Sequence, residues 1–200
     1  YSLEETAPGT DTAPHRSLPT ASLDAGLVFE GAAGSRGQRR LTLEPRVLYV
    51  YTPYRNQNNL PVFDTAVPDL NLVQLFRTNR YVGGDRVGDA NQASVGVTSR
   101  IFDADSGRQL LAATIGQTVY FDTPRVALPG ETTNDRDTSD LIAQVALTAL
   151  HDWTANLGVQ WNPAEAERER MQVQLQYRPA ATSVVNVGYR YQRERIDQAE

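Results

Sequence analysis

The densest set of residues that could do chemistry is Gly83-Gly84-Asp85-Arg86-Val87-Gly88-Asp89, which gathers glycines, two carboxylates and a guanidinium into one short run. Such a run suggests a phosphate or calcium loop, but it lacks the lysine of the first and the carboxylate spacing of the second. What remains is a turn re-entering a strand, with glycines supplying positive φ and Asp85 pairing with Arg86 or Arg80. His15 and His151 are solitary, and His151 with Asp152 falls at an expected tight turn, so neither is a credible general base or ligand. No serine lies in a nucleophile elbow, and no carboxylate pair shares a face in a way that points to hydrolysis. Glu165, Glu167 and Glu169, with Arg168 and Arg170, read as a solvated strand tip. No catalytic residue, metal ligand or cofactor is expected, and the chain does not read as an enzyme.

Composition narrows the class. Hydrophobic residues make up 40% of 200, and the mean hydropathy is -0.46, dilute for a soluble domain. No run approaches the roughly 18 apolar residues of a membrane helix, and Tyr1 to Asp11 lack the basic and apolar regions of a signal peptide. The chain begins in polar loop material and ends in mid-pattern at Arg190 to Glu200, so it reads as a piece of a longer one. There is no cysteine, hence no disulfide within these residues. The formal charge of -5 is spread along the chain, and the basic residues, all arginine, are neither clustered nor interleaved with stacking aromatics, which speaks against nucleic acid.

The elements that would position any site are strands. Units of about ten residues alternate apolar with polar and are bounded by turn residues. About eight can be marked. Ala21 to Glu30 sets Leu23, Ala25, Leu27 and Phe29 against Ser22, Asp24, Gly26 and Val28, before a glycine-rich turn at 31–37. Gln38 to Thr52 sets Leu41, Leu43, Val47, Tyr49 and Tyr51 against Arg40, Thr42, Glu44 and Arg46, with Pro45 marking a bulge or weak ladder. Asn91 to Phe102 opposes Ala93, Val95, Val97 and Ile101 to Gln92, Ser94, Gly96, Thr98 and Arg100. Arg108 to Phe121 is apolar on both faces, which leaves its orientation open. Asp140 to Leu150 also fits a helix, but its neighbours favour a strand. Trp153 to Trp161 sets its apolar row against Asn156 and Gln160. Met171 to Tyr177 sets its own against Gln172, Gln174 and Gln176. The last unit puts Val185, Val187, Tyr189 and Tyr191 on one face.

Three features favour a transmembrane barrel over a soluble sheet with one wet face. The units have the length that spans a bilayer at a tilt of roughly 45°. Aromatics gather at their ends, as headgroup girdles do. The connections alternate long and short, with one exception at Pro163 to Glu167, which is brief where a long loop is due. The expected fold is all-β: about eight up-and-down antiparallel strands of a larger outer-membrane barrel, with residues 1–200 part of that single barrel domain. An arginine at the lipid midplane would cost roughly 2–4 kcal/mol, so the polar rows should face the lumen. The proposed lumen-facing set is Arg40, Thr42, Glu44, Arg46, Gln92, Thr98, Arg100, Asn156, Gln160, Gln172, Gln174 and Gln176. Two other readings stay open, another outer-membrane conduit such as a porin and a soluble carbohydrate-binding β-protein.

Residues 53–90 are too many for a structureless link, and a long extracellular loop is expected there. Within it, Leu70, Val73 and Phe76 approach helical spacing after a candidate Asp69 cap, so a short helix over the barrel mouth is expected. The wording of this region carries a resemblance. Leu43-Glu44-Pro45-Arg46, Pro53-Tyr54-Arg55-Asn56-Gln57, Pro61-Val62-Phe63-Asp64, Gln74-Leu75-Phe76-Arg77, Asn79-Arg80, Gly83-Gly84-Asp85-Arg86 and Asp89-Ala90-Asn91-Gln92 follow in order. Gly96-Val97-Thr98-Ser99-Arg100 and Ile115-Gly116-Gln117 with Tyr120-Phe121 complete the block. Over Leu41 to Phe121 the chain resembles the LptD, or organic solvent tolerance, family of lipopolysaccharide-assembly proteins. The resemblance implies a Gram-negative outer-membrane location and the central part of a C-terminal barrel that passes lipopolysaccharide to the outer leaflet. It also implies three partners besides the outer-membrane lipids: lipopolysaccharide, an LptE-type lipoprotein plug, and a periplasmic bridge reached through a jelly-roll that this segment lacks.

Overall fold

The computed structural model of the chain describes residues 15–34, 37–131, 135–180 and 182–193. The expectations of a missing leader at Tyr1 to Asp11 and of an ending in mid-pattern at 194–200 lie outside the described residues, as do parts of the connections at 31–37 and 122–137. Nine strands form one antiparallel sheet: β1 (Ala21–Gly26), β2 (Phe29–Ala33), β3 (Arg39–Thr52), β4 (Ala90–Asp103), β5 (Gln109–Tyr120), β6 (Leu141–Leu147), β7 (Trp153–Asn162), β8 (Glu167–Ala180) and β9 (Ser183–Gln192). From β3 onward each strand pairs with the next, an up-and-down order in which β1 and β2 lie along one edge and β9 along the other. The sheet is open. The only described helix is α1 (Leu72–Leu75), a single turn, and no helix of the described residues is long and apolar enough to cross a membrane.

The first alternating unit becomes two strands for a covalent reason. β1 and β2 lie in one register against β3, with Gly26 opposite Arg46 and Phe29 opposite Leu43. The gap between them falls opposite Pro45, which has no N–H to give the ladder. The N–H of Leu27 still donates to the Pro45 carbonyl at 3.0 Å. Eight units read as nine strands for this reason alone. Pairing also resolves what periodicity left open. Ile115 faces Val97 and Leu111 faces Ile101, so the odd-numbered residues of β5 join the apolar rows of β3 and β4. The segment from Asp140 is a strand, held on both sides by β5 and β7.

All the long connections leave one end of the sheet. Residues 53–89 and 121–140 join β3 to β4 and β5 to β6 there, beside a four-residue turn at 163–166. At the other end the links are short, as at 104–108 and 148–152. The buried apolar side chains come from the sheet (Leu48, Val50, Leu110 and Ile142) and from the two long connections (Leu60, Leu75, Tyr81 and Val126).

Candidate functional site

Alternation assigns each strand residue to one of two faces, and register carries the assignment across the sheet. One row runs Leu43, Ser99, Ala113 and Val145, the next Val47, Val95 and Gln117, and further along Leu157, Val173 and Tyr189 are joined in the same way. In the middle of the strands this face carries no charged side chain. Charges on it are confined to the ends, with Arg39 and Asp103 at one and Arg168 at the other. Most of its aromatic residues gather toward the strand ends. Tyr49, Tyr51, Phe121, Trp161 and Tyr191 lie toward the long-connection end and Trp153 and Tyr177 at the other, while Phe29 and Tyr189 share the pairing row of Leu43 and Leu157. Trp153 stacks on Tyr177 with ring centroids 4.4 Å apart. From Trp153 to Trp161 the strand runs roughly 27 Å at about 3.4 Å per residue.

The apolar face is the bare one. Leu43, Val47, Val95, Ile115, Leu157 and Leu175 are all exposed, whereas Val50, on the opposite face, is 0% exposed. A soluble sheet with one wet face covers its apolar side, so the distribution is the reverse of that expectation.

The opposite face holds the charges of the strand interiors, largely in pairs. Arg46 binds Asp24 at 2.5 Å, Arg100 binds Glu44, and Arg40 reaches Glu30 at 3.5 Å. The twelve residues of the expected polar set share this face. Thr42 lies opposite Arg100, Glu44 opposite Thr98, and Asn156 opposite Gln174. The face is not uniformly polar, because Leu48, Val50 and Ile142 also belong to it and are buried. The cause is a cap that the 53–89 connection folds over it.

The cap rests on two glycines. A side chain at Gly96 would place its Cβ 2.9 Å from Phe76 Cζ, and one at Gly116 would come within 3.1 Å of Leu75 Cδ1. Glycine lets the loop touch the sheet backbone. The Arg46 guanidinium lies 4.5 Å over the Phe76 ring, and Leu75 is 2% exposed. The helical face therefore differs from the expected Leu70, Val73 and Phe76 row, since Val73 is 67% exposed. The expected cap also shifts. Asn71 accepts from the N–H groups of Val73 and Gln74, while Asp69 leaves the helix to bind Arg170 on β8 at 2.7 Å. That contact holds the Asp69 carboxyl below its ordinary pKa.

The motif block turns out to build this cap. Asp85 pairs with neither Arg86 nor Arg80. Its carboxylate accepts from the backbone N–H groups of Asp64 and Phe63, both at 2.8 Å, and from the Thr65 hydroxyl. These donors, the Asp64 N–H foremost, lower its pKa to about 2. Arg86 is buried and donates to the Gln57 carbonyl, and the Gln57 amide donates to the Val87 carbonyl at 2.7 Å. Gly83, at φ 87°, is the close approach to Asp64 and Thr65, where a Cβ would lie 2.8 Å from the Asp64 carbonyl oxygen. Pro53 is half-buried, whereas Tyr54, Phe63, Asp64, Arg77 and Gly84 lie at the cap surface. The cap extends into the second connection. Arg80 binds Glu131 at 2.8 Å, and the Tyr81 hydroxyl donates to the Val126 carbonyl or Glu131. Burial raises the Tyr81 pKa.

These long-range partners left little local trace. Two signals were available, namely the inward glycines at 96 and 116 and the run Leu48-Tyr49-Val50-Tyr51, which is apolar on both faces. His151 is exposed with Asp152 at 3.3 Å, and among the described residues no cluster of histidine and carboxylates could hold a metal. Glu165, Glu167 and Glu169 converge on Arg193 and not on a ligand space.

Comparison with known proteins extends beyond the motif block. The family model of LPS transport system D, LptD, matches residues 1–200. A protein of Aromatoleum aromaticum named LPS-assembly protein LptD is 42% identical over 198 residues, 98% of this chain and 25% of that protein. The proteins of the same name from Thiobacillus denitrificans and Nitrosococcus oceani are 40% and 37% identical over 100% and 99% of the chain, each with 27% of its own length covered. The chain thus spans about a quarter of the length of these curated relatives.

Proposed function

The chain belongs to the LptD family, and from that premise we propose that it is the central part of an outer-membrane β-barrel that inserts lipopolysaccharide into the outer leaflet. The observation that carries the membrane assignment is the mid-strand band of the bare face, which is largely apolar, holds no charge and has aromatic residues gathered toward its ends. A bilayer accepts such a band and penalises a charge at its midplane by roughly 2–4 kcal/mol. The open edges at β1, β2 and β9 would then pair with strands elsewhere in the longer protein, closing the barrel and removing both edges.

In this arrangement the face bearing Arg40, Glu44, Arg100 and Gln172 lines the lumen. The end with the long connections is the cell exterior, and residues 53–90 form an extracellular loop folded back into the barrel mouth. The chain's own residues supply a hydrated wall whose charges neutralise one another, so a phosphorylated glycan meets hydrogen-bonding groups without a fixed charge excess. On this reading the partners are lipopolysaccharide, an LptE-type plug and a periplasmic bridge that docks outside these residues. The role is transport and assembly without bond-making chemistry.

Depletion of the full-length protein tests the reading. Lipopolysaccharide should accumulate beneath the outer leaflet and be lost from the cell surface. Normal surface display under depletion refutes the transport role and favours a porin-like conduit, while recovery of the protein without detergent refutes the membrane assignment.

A further inference from the structure

At the long-connection end, the starts of the two loops leave a cleft of about 520 Å³, lined by Tyr51, Tyr54, Asn91, Asp122 and Arg125 among others. Its size falls within the roughly 300–1,000 Å³ of small-molecule sites. It opens beside the apolar face, because Tyr51 and Asn91 are paired residues of that face and Phe121 packs 6.3 Å from Tyr49. The cleft is therefore level with the aromatic residues of that end, where the edge of the cap meets the apolar face.

Its polar groups are held in place. The Tyr49 hydroxyl donates to Asn91 Oδ1 at 3.0 Å, and Asn91 Nδ2 donates to Asp122 at 2.7 Å, which fixes an amide and a carboxylate on the rim. Buried Asp89 accepts from the backbone N–H groups of Arg125 at 3.0 Å and Val126 at 2.8 Å, anchoring the segment that carries Arg125. The exposed Arg125 guanidinium lies 4.0 Å over the Tyr54 ring and makes no ion pair among the described residues. Stacking presents its N–H edge in a fixed plane, the geometry that grips a phosphate through two oxygens.

We propose that this cleft binds the phosphorylated-sugar headgroup of a glycolipid resident in the outer leaflet, phosphate on Arg125 and sugar hydroxyls on Asn91 and Asp122. A sugar-bearing headgroup is favoured over a simple phospholipid for two reasons. The Asp122 carboxylate and the Asn91 amide offer hydrogen-bond partners to the several hydroxyls of a sugar, and the cleft is lined by phenol rings that suit the face of a sugar. The site rests on the outer-membrane reading, but it is a docking place on the outer wall for lipid already in the leaflet, distinct from cargo inside the lumen.

The test uses the full-length protein in nanodiscs of phosphatidylethanolamine doped with lipopolysaccharide or with phosphatidylglycerol, followed by detergent extraction and native mass spectrometry of retained lipid. Wild type and the opposite-rim control Arg108→Ala should retain lipopolysaccharide, and Arg125→Ala should retain about tenfold less, the worth of a charge-assisted hydrogen bond. Phosphatidylglycerol should not substitute. Equal retention by Arg125→Ala, equal retention of phosphatidylglycerol, or full displacement by inorganic phosphate overturns the site. If Arg125→Ala fails to assemble, Arg125→Lys keeps the charge without the fork, and wild-type retention by it overturns the proposal equally. Absence of the protein from outer-membrane fractions refutes the membrane reading, whereas normal assembly and lipopolysaccharide display without retained lipid refutes only this site.

Discussion

The two halves of the polar face solve the same problem differently. Across β3 to β5 the face lies under the cap, and Thr42, Leu48, Val50, Ser94 and Thr118 are buried. Across β7 to β9 it is bare, with Asn156, Gln174, Gln176, Asn186 and Arg190 all exposed. In the capped half, identity is fixed residue by residue, because a glycine, a ring or a carboxylate fits one neighbour. In the bare half only polarity is demanded, and one amide can serve for another. Residues that can be recognised individually therefore concentrate where the chain packs on itself, although the whole length obeys one alternation.

Opposite sides of one strand give the largest contrast. Leu157→Arg places a charge on the apolar face in mid-strand, which on the membrane assignment costs roughly 2–4 kcal/mol. Gln160→Arg points to the polar side, where Asp140 already receives the Gln160 amide at 2.7 Å. Outer-membrane yield of heat-modifiable protein should collapse for the first and stay near wild type for the second. Equal yields would mean that the two faces are wrongly assigned.

A smaller effect separates the two halves themselves. Gly96→Val overfills the contact with Phe76 and should cost about 1–3 kcal/mol, releasing the cap to proteolysis within 53–89. Gly188→Val in the bare half, where the nearest atom to a Cβ is 4.0 Å away, should leave proteolysis unchanged. Equal protection of both variants would show that the cap does not depend on the glycine floor.

The cap should also respond to acid. The Asp85 pKa is lowered from 3.8 to about 2, so its contribution is complete above about pH 4 and is lost as pH falls through about 2. Hydrogen exchange of the Phe63 and Asp64 amides should rise relative to β7 over that window, and Asp85→Asn should remove the dependence. A flat profile in wild type would assign the anchoring to other groups.

The smallest change is expected at the bridge between the halves. Asp69 is mostly exposed, so Asp69→Asn should cost only about 0.2–1 kcal/mol and increase motion of α1 without unfolding the cap. A spin label on Val73 reads that motion. A loss as large as that of Gly96→Val would make the ion pair a principal anchor.

What could be read from sequence follows from the range of the interactions. Alternation is local, and it was enough to place Leu41, Val95 and Leu157 together on one face. The division of the first strand was foreshadowed by Pro45, whose missing donor is covalent. The cap was not legible in this way. Helical spacing selected Val73, while the sheet supplies a socket for Leu75 at Gly116, and Asp85 has an adjacent arginine but is satisfied by backbone amides 21 and 22 residues away. Glu131 meets Arg80 across 51 positions, with no pattern to announce it. The motif around Gly83 was visible as a motif, but the job it does required knowing what lies beneath it.

The interlocking of the two large connections ties them to one strand register. Glu131 reaches Arg80 and Tyr81 only when β4 and β5 have paired, since that hairpin carries residue 131 back beside residue 80. A slip of one residue between these strands would turn every side chain over and move both glycine sockets out from under Leu75 and Phe76. The clasp fits the observed alignment, so a slipped pairing of the central hairpin would leave Glu131 without Arg80 and Tyr81.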